Sequence, residues 1–97
     1  MAKGYWVVNL EVTDLDRYKD YRAFVEPFLA AHAGRFIVRG GRAEMVEGDV
    51  HPRVVVVEFP SYAAAVDAYH SAEYAEGKKT RLNAGAANFA IVEGVDG

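Results

Sequence analysis

"PRVVVVEFP", residues 52–60, sets four valines in a row between two prolines. A strand with one wet face alternates apolar and polar residues, because successive side chains point to opposite sides. Here Val55, Val57 and Phe59 share one side, and Val54, Val56 and Glu58 share the other. Both sides are largely apolar, so this strand expects cover on two faces. A chain of 97 residues has room for one domain and one core.

The flanking segments show where one cover comes from. Residues 4–12, "GYWVVNLEV", are β-branched and aromatic and read as a first strand, with Trp6, Val8, Leu10 and Val12 on one side. "TDLD" follows, and Thr13 with Asp16 resembles a capping box. Tyr18, Tyr21, Val25, Phe28, Leu29 and His32 then recur at helical spacing. Pro27 predicts a kink or break in that helix, and Gly34 a left-handed C-terminal residue. Phe24 joins the two tyrosines and Phe28 in an aromatic stripe suited to core packing. Residues 35–46, "RFIVRGGRAEMV", read as a second strand with a bulge or a close approach at Gly40-Gly41. "EGDVHP" is a turn. After the valine strand, Ser61 caps a helix with a stripe of Tyr62, Ala65, Val66 and Tyr69. Ser71 caps a further short segment carrying Tyr74 and Arg81, closed by Gly85, and residues 87–93 form the last strand.

The order is βαββαβ, two split βαβ units of the ferredoxin-like pattern in a single domain over 1–97. The fold class is α+β with a four-stranded antiparallel sheet. Right-handed crossovers put both helices on one face, which leaves the other face bare. That face would expose valine and aromatic surface of the size that marks an interaction site. A second copy packed sheet to sheet through a two-fold axis covers it, giving a homodimeric α/β barrel with a ligand cavity between the sheets. The alternative is a monomer whose bare face is covered by the segment 71–85.

Composition narrows the partners. Apolar residues make up 52% and charged ones 26%, which argues against disorder. The formal net charge of −3 disfavours nucleic acid, and no polybasic run points to a membrane surface. No apolar run reaches a transmembrane length, and the N-terminus lacks the form of a signal peptide. Cysteine is absent, which removes disulfides and thiolate chemistry, and the expected location is cytoplasmic.

"GRFIVRGGRAEMVEG", "PRVVVVEFPSYAAAVDAYHSAEY" and the terminal "IVEG" together resemble the family called domain of unknown function 1330, over essentially the whole chain. Members often carry Gly-Gly before the arginine, where this chain has Ala33-Gly34. They often carry Ser-Pro-Glu-Tyr, where it has Ser71-Ala72-Glu73-Tyr74. The resemblance implies a dimeric α/β barrel and supplies no catalytic residue. The wider superfold includes cofactor-independent monooxygenases, haem-degrading enzymes, lactone isomerases and stress-response proteins, which is analogy at the level of fold.

Among polar residues, Arg39 lies mid-strand beside the double glycine. A register that sets it opposite Glu58 leaves a short hairpin loop and makes an arginine–carboxylate pair in the cavity. That pair binds an anionic or carbonyl-bearing ligand, or else fills the interface structurally. Asn9 and Asn88 line the same cavity, or are satisfied amides of the interface. Ser71 and Tyr74, with His70, edge its mouth. His32, His51 and His70 have no metal-ligand spacing, and no cofactor fingerprint or nucleophile arrangement is present, so no cofactor or metal is expected. "RGGR" (39–42) lacks the following helix that a phosphate loop needs. Three functions compete: a homodimeric small-molecule binder, a cofactor-independent enzyme of monooxygenase or isomerase type, and a purely structural or interaction domain.

Overall fold

The computed structural model describes residues 2–96. Its elements are β1 (Gly4–Val12), α1 (Leu15–Ala31), β2 (Arg35–Arg39), β3 (Arg53–Phe59), α2 (Tyr62–His70), α3 (Ala72–Leu82) and β4 (Gly85–Glu93). The strands form one antiparallel sheet in the order β2-β3-β1-β4. Each βαβ crossover skips one strand, so β1 and β2 flank β3, while β3 and β4 flank β1. This is the ferredoxin-like arrangement, extended by a third helix.

The side-chain parity of the strands decides the core. Trp6, Val8 and Leu10 from β1 and Val55, Val57 and Phe59 from β3 are buried under the helices. Trp6 is central. Its ring lies 5.0 Å from Phe59, 5.1 Å from Tyr74 and 5.2 Å from Phe89, and its indole N–H donates to the Ala65 carbonyl at 2.9 Å. Helix α1 lays Tyr18, Tyr21, Val25, Phe28 and Leu29 on this layer, the face its spacing predicts.

Local signals differ from the sequence reading at several points. Asp14 caps α1, accepting from the Arg17 amide at 3.1 Å, because Thr13 is held to the Ala84 carbonyl through its amide and hydroxyl. Pro27 does not break α1. It forfeits one ladder bond, while Val25 on one side of it and Phe28 and Leu29 on the other are anchored in the core. The left-handed residue after α1 is Ala33 (φ 60°), not Gly34. The Gly34 amide reaches the Leu29 carbonyl at 2.8 Å and the Ala33 amide reaches Ala30, a Schellman closure with alanine in the glycine position. Gly85 opens β4 instead of ending the helix before it, which Asn83 closes.

Strand β2 ends at Arg39, well short of residue 46, and its bulge is not at the double glycine. Arg35 pairs with Glu58 and Phe36 with Val57, but Val38 pairs with Val56 and Arg39 with Val55. Ile37 is the extra residue. The expected pairing of Arg39 with Glu58 is therefore wrong by several residues. One inserted residue also reverses the parity beyond it. Arg39 shares the helix side with Val55, and the open face receives Val38.

The segment 71–85 does not cover the open face. Helix α3 lies beside α1 in the same layer, where Gly77 admits the Phe24 ring: a Cβ on Gly77 would stand 2.1 Å from it. The molecule is a slab of 38 × 34 × 18 Å, two layers thick. Val7, Val38 and Val92 on the bare side are 37–42% exposed.

Candidate functional site

Two polar groups punctuate the open face, and each is satisfied within itself. Glu58 accepts from Arg35 Nε at 2.9 Å and from the Tyr5 hydroxyl at 3.3 Å, with Lys3 Nζ at 3.5 Å. The hydrogen bond from Arg35 is the main cause that holds the Glu58 carboxyl below the usual glutamate range. Asn9 and Asn88 stand directly opposite each other on β1 and β4. The Asn9 oxygen accepts from Asn88 Nδ2 at 3.2 Å and from the His51 amide at 3.0 Å.

The other expected site residues do not join them. Ser71 sits between α2 and α3, donating to the Ala68 carbonyl at 2.8 Å and accepting from the Tyr74 amide at 3.1 Å. Tyr74 is wholly buried on the helix side, 2.8 Å from the Tyr21 hydroxyl. Burial pushes both phenols well above the ordinary tyrosine value, so neither serves as a base near neutral pH. Arg39 pairs with Glu26 on α1 and lies 4.2 Å from the centre of the Phe36 ring. That pairing is the first cause that lowers the Glu26 pKa.

The parity change brings Arg39 to a second place, a cavity between α1 and the sheet. Its polar wall is Tyr18, Tyr21, Arg22, Arg39, Arg53 and Arg81, over an apolar floor from β1 and β3. The inner space is about 30 Å³, enough for one or two waters or the head of a ligand. It adjoins an outer groove of about 350 Å³ that shares Leu10, Tyr18, Arg22 and Arg53 and reaches Gly40 and Pro52. Arg53 is set by its Nε–H, which donates to the Tyr18 hydroxyl at 3.1 Å, and by the bare backbone of Gly40 against its guanidinium.

Arg81 is the group that sequence reasoning placed without weighing. It is the one charged side chain among the described residues that is buried, at 8% exposure. Its guanidinium lies 5.6 Å from the Tyr21 ring centre and 5.8 Å from that of Phe89, and its buried Nε has no hydrogen-bond partner. The available signal was the spacing of Tyr74, Gly77 and Arg81, which marks one inward face of α3. Of the four arginines at the cavity, only Arg39 has a carboxylate within ion-pair distance among the described residues.

The fold and this helix-side cavity define a ferredoxin-like α+β protein, and comparison with known proteins agrees. A crystal structure of a protein of unknown function from Rhodopseudomonas palustris superposes with a TM-score of 0.77 at 17% identity, covering 99% of this chain and 85% of that one. An ethyl tert-butyl ether D (EthD) family protein from Bacillus halodurans superposes with a TM-score of 0.56 at 11% identity, covering 98% and 100%. At these identities the likeness is one of fold. No curated protein matches the sequence. The chain belongs to the DUF1330 family, a domain of unknown function, whose model matches residues 3–95.

Proposed function

We propose that this chain is a homodimeric small-molecule-binding protein whose ligand enters between α1 and the sheet. The observation that carries the ligand site is the cavity, where Arg22, Arg53 and Arg81 gather with no carboxylate within ion-pair distance among the described residues, in a protein of net charge −3. Clustered cations beside an apolar floor are the makings of a recognition site. A cavity between two sheets is the poorer location, since Glu58, Asn9 and Asn88 are already hydrogen-bonded within one subunit. Binding is favoured over catalysis, because the described residues lining the cavity include no serine, cysteine, histidine, aspartate or glutamate.

The dimer reading rests on the open sheet face. Val7, Val38, Val54, Val56, Ala90 and Val92 form its apolar part, and a second copy offers the same surface in two-fold relation. Native mass spectrometry tests this half: the expected species is a pair of 10.6 kDa subunits. A lone subunit at micromolar concentration would sink it. An NMR fragment screen tests the other half. Binding compounds are expected to shift resonances of Tyr18, Arg22 and Arg53, and hits confined to Asn9, Asn88 and Glu58 would move the site to the sheet face.

A further inference from the structure

Arg81 poses a specific physical question. A guanidinium is permanently charged, and taking it out of water is strongly unfavourable unless it is paired. Here the residue is 8% exposed, its Nε hydrogen is buried and unaccepted, and its nearest described neighbours are aromatic rings and two tyrosine hydroxyls. The rings attract the cation through their faces and a tyrosine hydroxyl stands beside it, but neither supplies an acceptor to Nε. The cavity beside it is small, apolar below, and flanked by Arg22 and Arg53, neither with a carboxylate within ion-pair distance among the described residues. The unaccepted Nε and the gathered guanidiniums are matched by an anion.

The shape of the space says which anion. The inner space of about 30 Å³ is small and apolar below, which suits a compact anionic head joined to an apolar body. A carboxylate also presents its oxygens in one plane, as the guanidinium presents its N–H groups. The outer groove is lined by Leu10, Val12, Leu15, Tyr18 and Pro52, with Arg22 and Arg53 at the shared neck. We propose that the cavity binds a small organic carboxylate, with its carboxylate on Arg81 and its apolar body in the outer groove between α1 and the sheet. Arg22 and Arg53 draw the anion in and Tyr18 lies along its body. This rests on the small-molecule reading above and adds the ligand's class and orientation.

The test uses phenylacetate, its neutral isostere phenylacetamide, and inorganic phosphate, each titrated into ¹⁵N-labelled full-length protein. The reporter is the Arg81 Nε–H resonance, assigned by its disappearance in Arg81→Lys. Phenylacetate is expected to move that resonance and to bind at least about tenfold more tightly than the amide. Arg81→Met should lose the preference for the acid while melting at or above the wild-type temperature without ligand, because it removes an uncompensated buried charge. Equal binding of acid and amide overturns the carboxylate assignment and leaves the small-molecule reading standing. Phosphate moving the resonance as strongly as phenylacetate also overturns it. Silence with every probe to the solubility limit, together with an empty fragment screen, overturns both.

Discussion

Ala33 holds a backbone conformation that costs an L-residue roughly 1 kcal/mol. Nothing in its side chain repays this, since the Schellman bonds run through the backbone. Ala33→Gly should stabilise the protein by about 0.5–1 kcal/mol, less the entropy that glycine adds to the unfolded chain. Equilibrium urea denaturation reads the shift in midpoint. Glu58 gives a pH-dependent counterpart. Its folded pKa lies below the unfolded value, so its contribution is present above about 4.5 and fades as the pH falls through the lower folded value. Glu58→Gln should therefore be less stable than the wild type at pH 7, with the gap closing on acidification. An undiminished gap at pH 3 would show that the carboxylate's charge is irrelevant. Glu58 was legible in the sequence as the polar end of an apolar run, yet its partner was not. Arg35 and Arg39 are both arginines on one short strand, and choosing between them needs the register.

Between elements, small irregularities have the largest consequences. The Ile37 bulge turns Arg39 from the open face to the helix side and so adds it to the cavity wall. A glycine pair is the usual sign of a bulge, and here it marks the strand's end instead, where Gly40 takes φ 63° and its amide bonds the Val54 carbonyl. Periodicity cannot locate such an insertion, because the middle of β2, Phe36-Ile37-Val38, is apolar without alternation and an arginine stands at each end. Ser71 was legible as a cap, and the structure gives it two helices to serve: its hydroxyl donates to the end of α2 and accepts from the start of α3. Ser71→Ala breaks both bonds and should cost about 1–2 kcal/mol, more than a single surface cap. Ser71→Asp, which can accept but not donate when ionised, should recover only part of it. Chemical denaturation of the three proteins checks the order. Helix α3 carries Arg81 to the cavity through the same joint, so a loosened joint should also weaken phenylacetate binding.

At the scale of the molecule, the slab has one buried face and one bare one. No helix among the described residues is long and apolar enough to cross a membrane. The bare face centres on β1 and β3, and Val56 lies there opposite Val7. Val56→Lys puts a strongly hydrated charge at the middle of the proposed dimer contact while leaving the helix-side core untouched. It should shift the protein to a single subunit by analytical ultracentrifugation, with its helical circular dichroism retained. A variant that stays dimeric would place the contact elsewhere. Because the cavity lies under α1 within one subunit, phenylacetate binding should survive this change, which separates the two halves of the functional proposal.

The valine run, the strand parity of β1 and the helical spacing of α1, with the caps and apolar runs that follow, were enough to read the strand–helix order and most of the core, to which the structure adds α3 as a full helix. These are periodic properties, repeated along each element, and every repeat reinforces the same reading. The site was different. It depends on one extra residue in β2, on which of two neighbouring arginines meets Glu58, and on α3 turning Arg81 inward against Tyr21 and Phe89. Each is a single event without a periodic signal. Only the packed chain decides them, because the favourable register and helix placement are those that close the core around Trp6 and Tyr74.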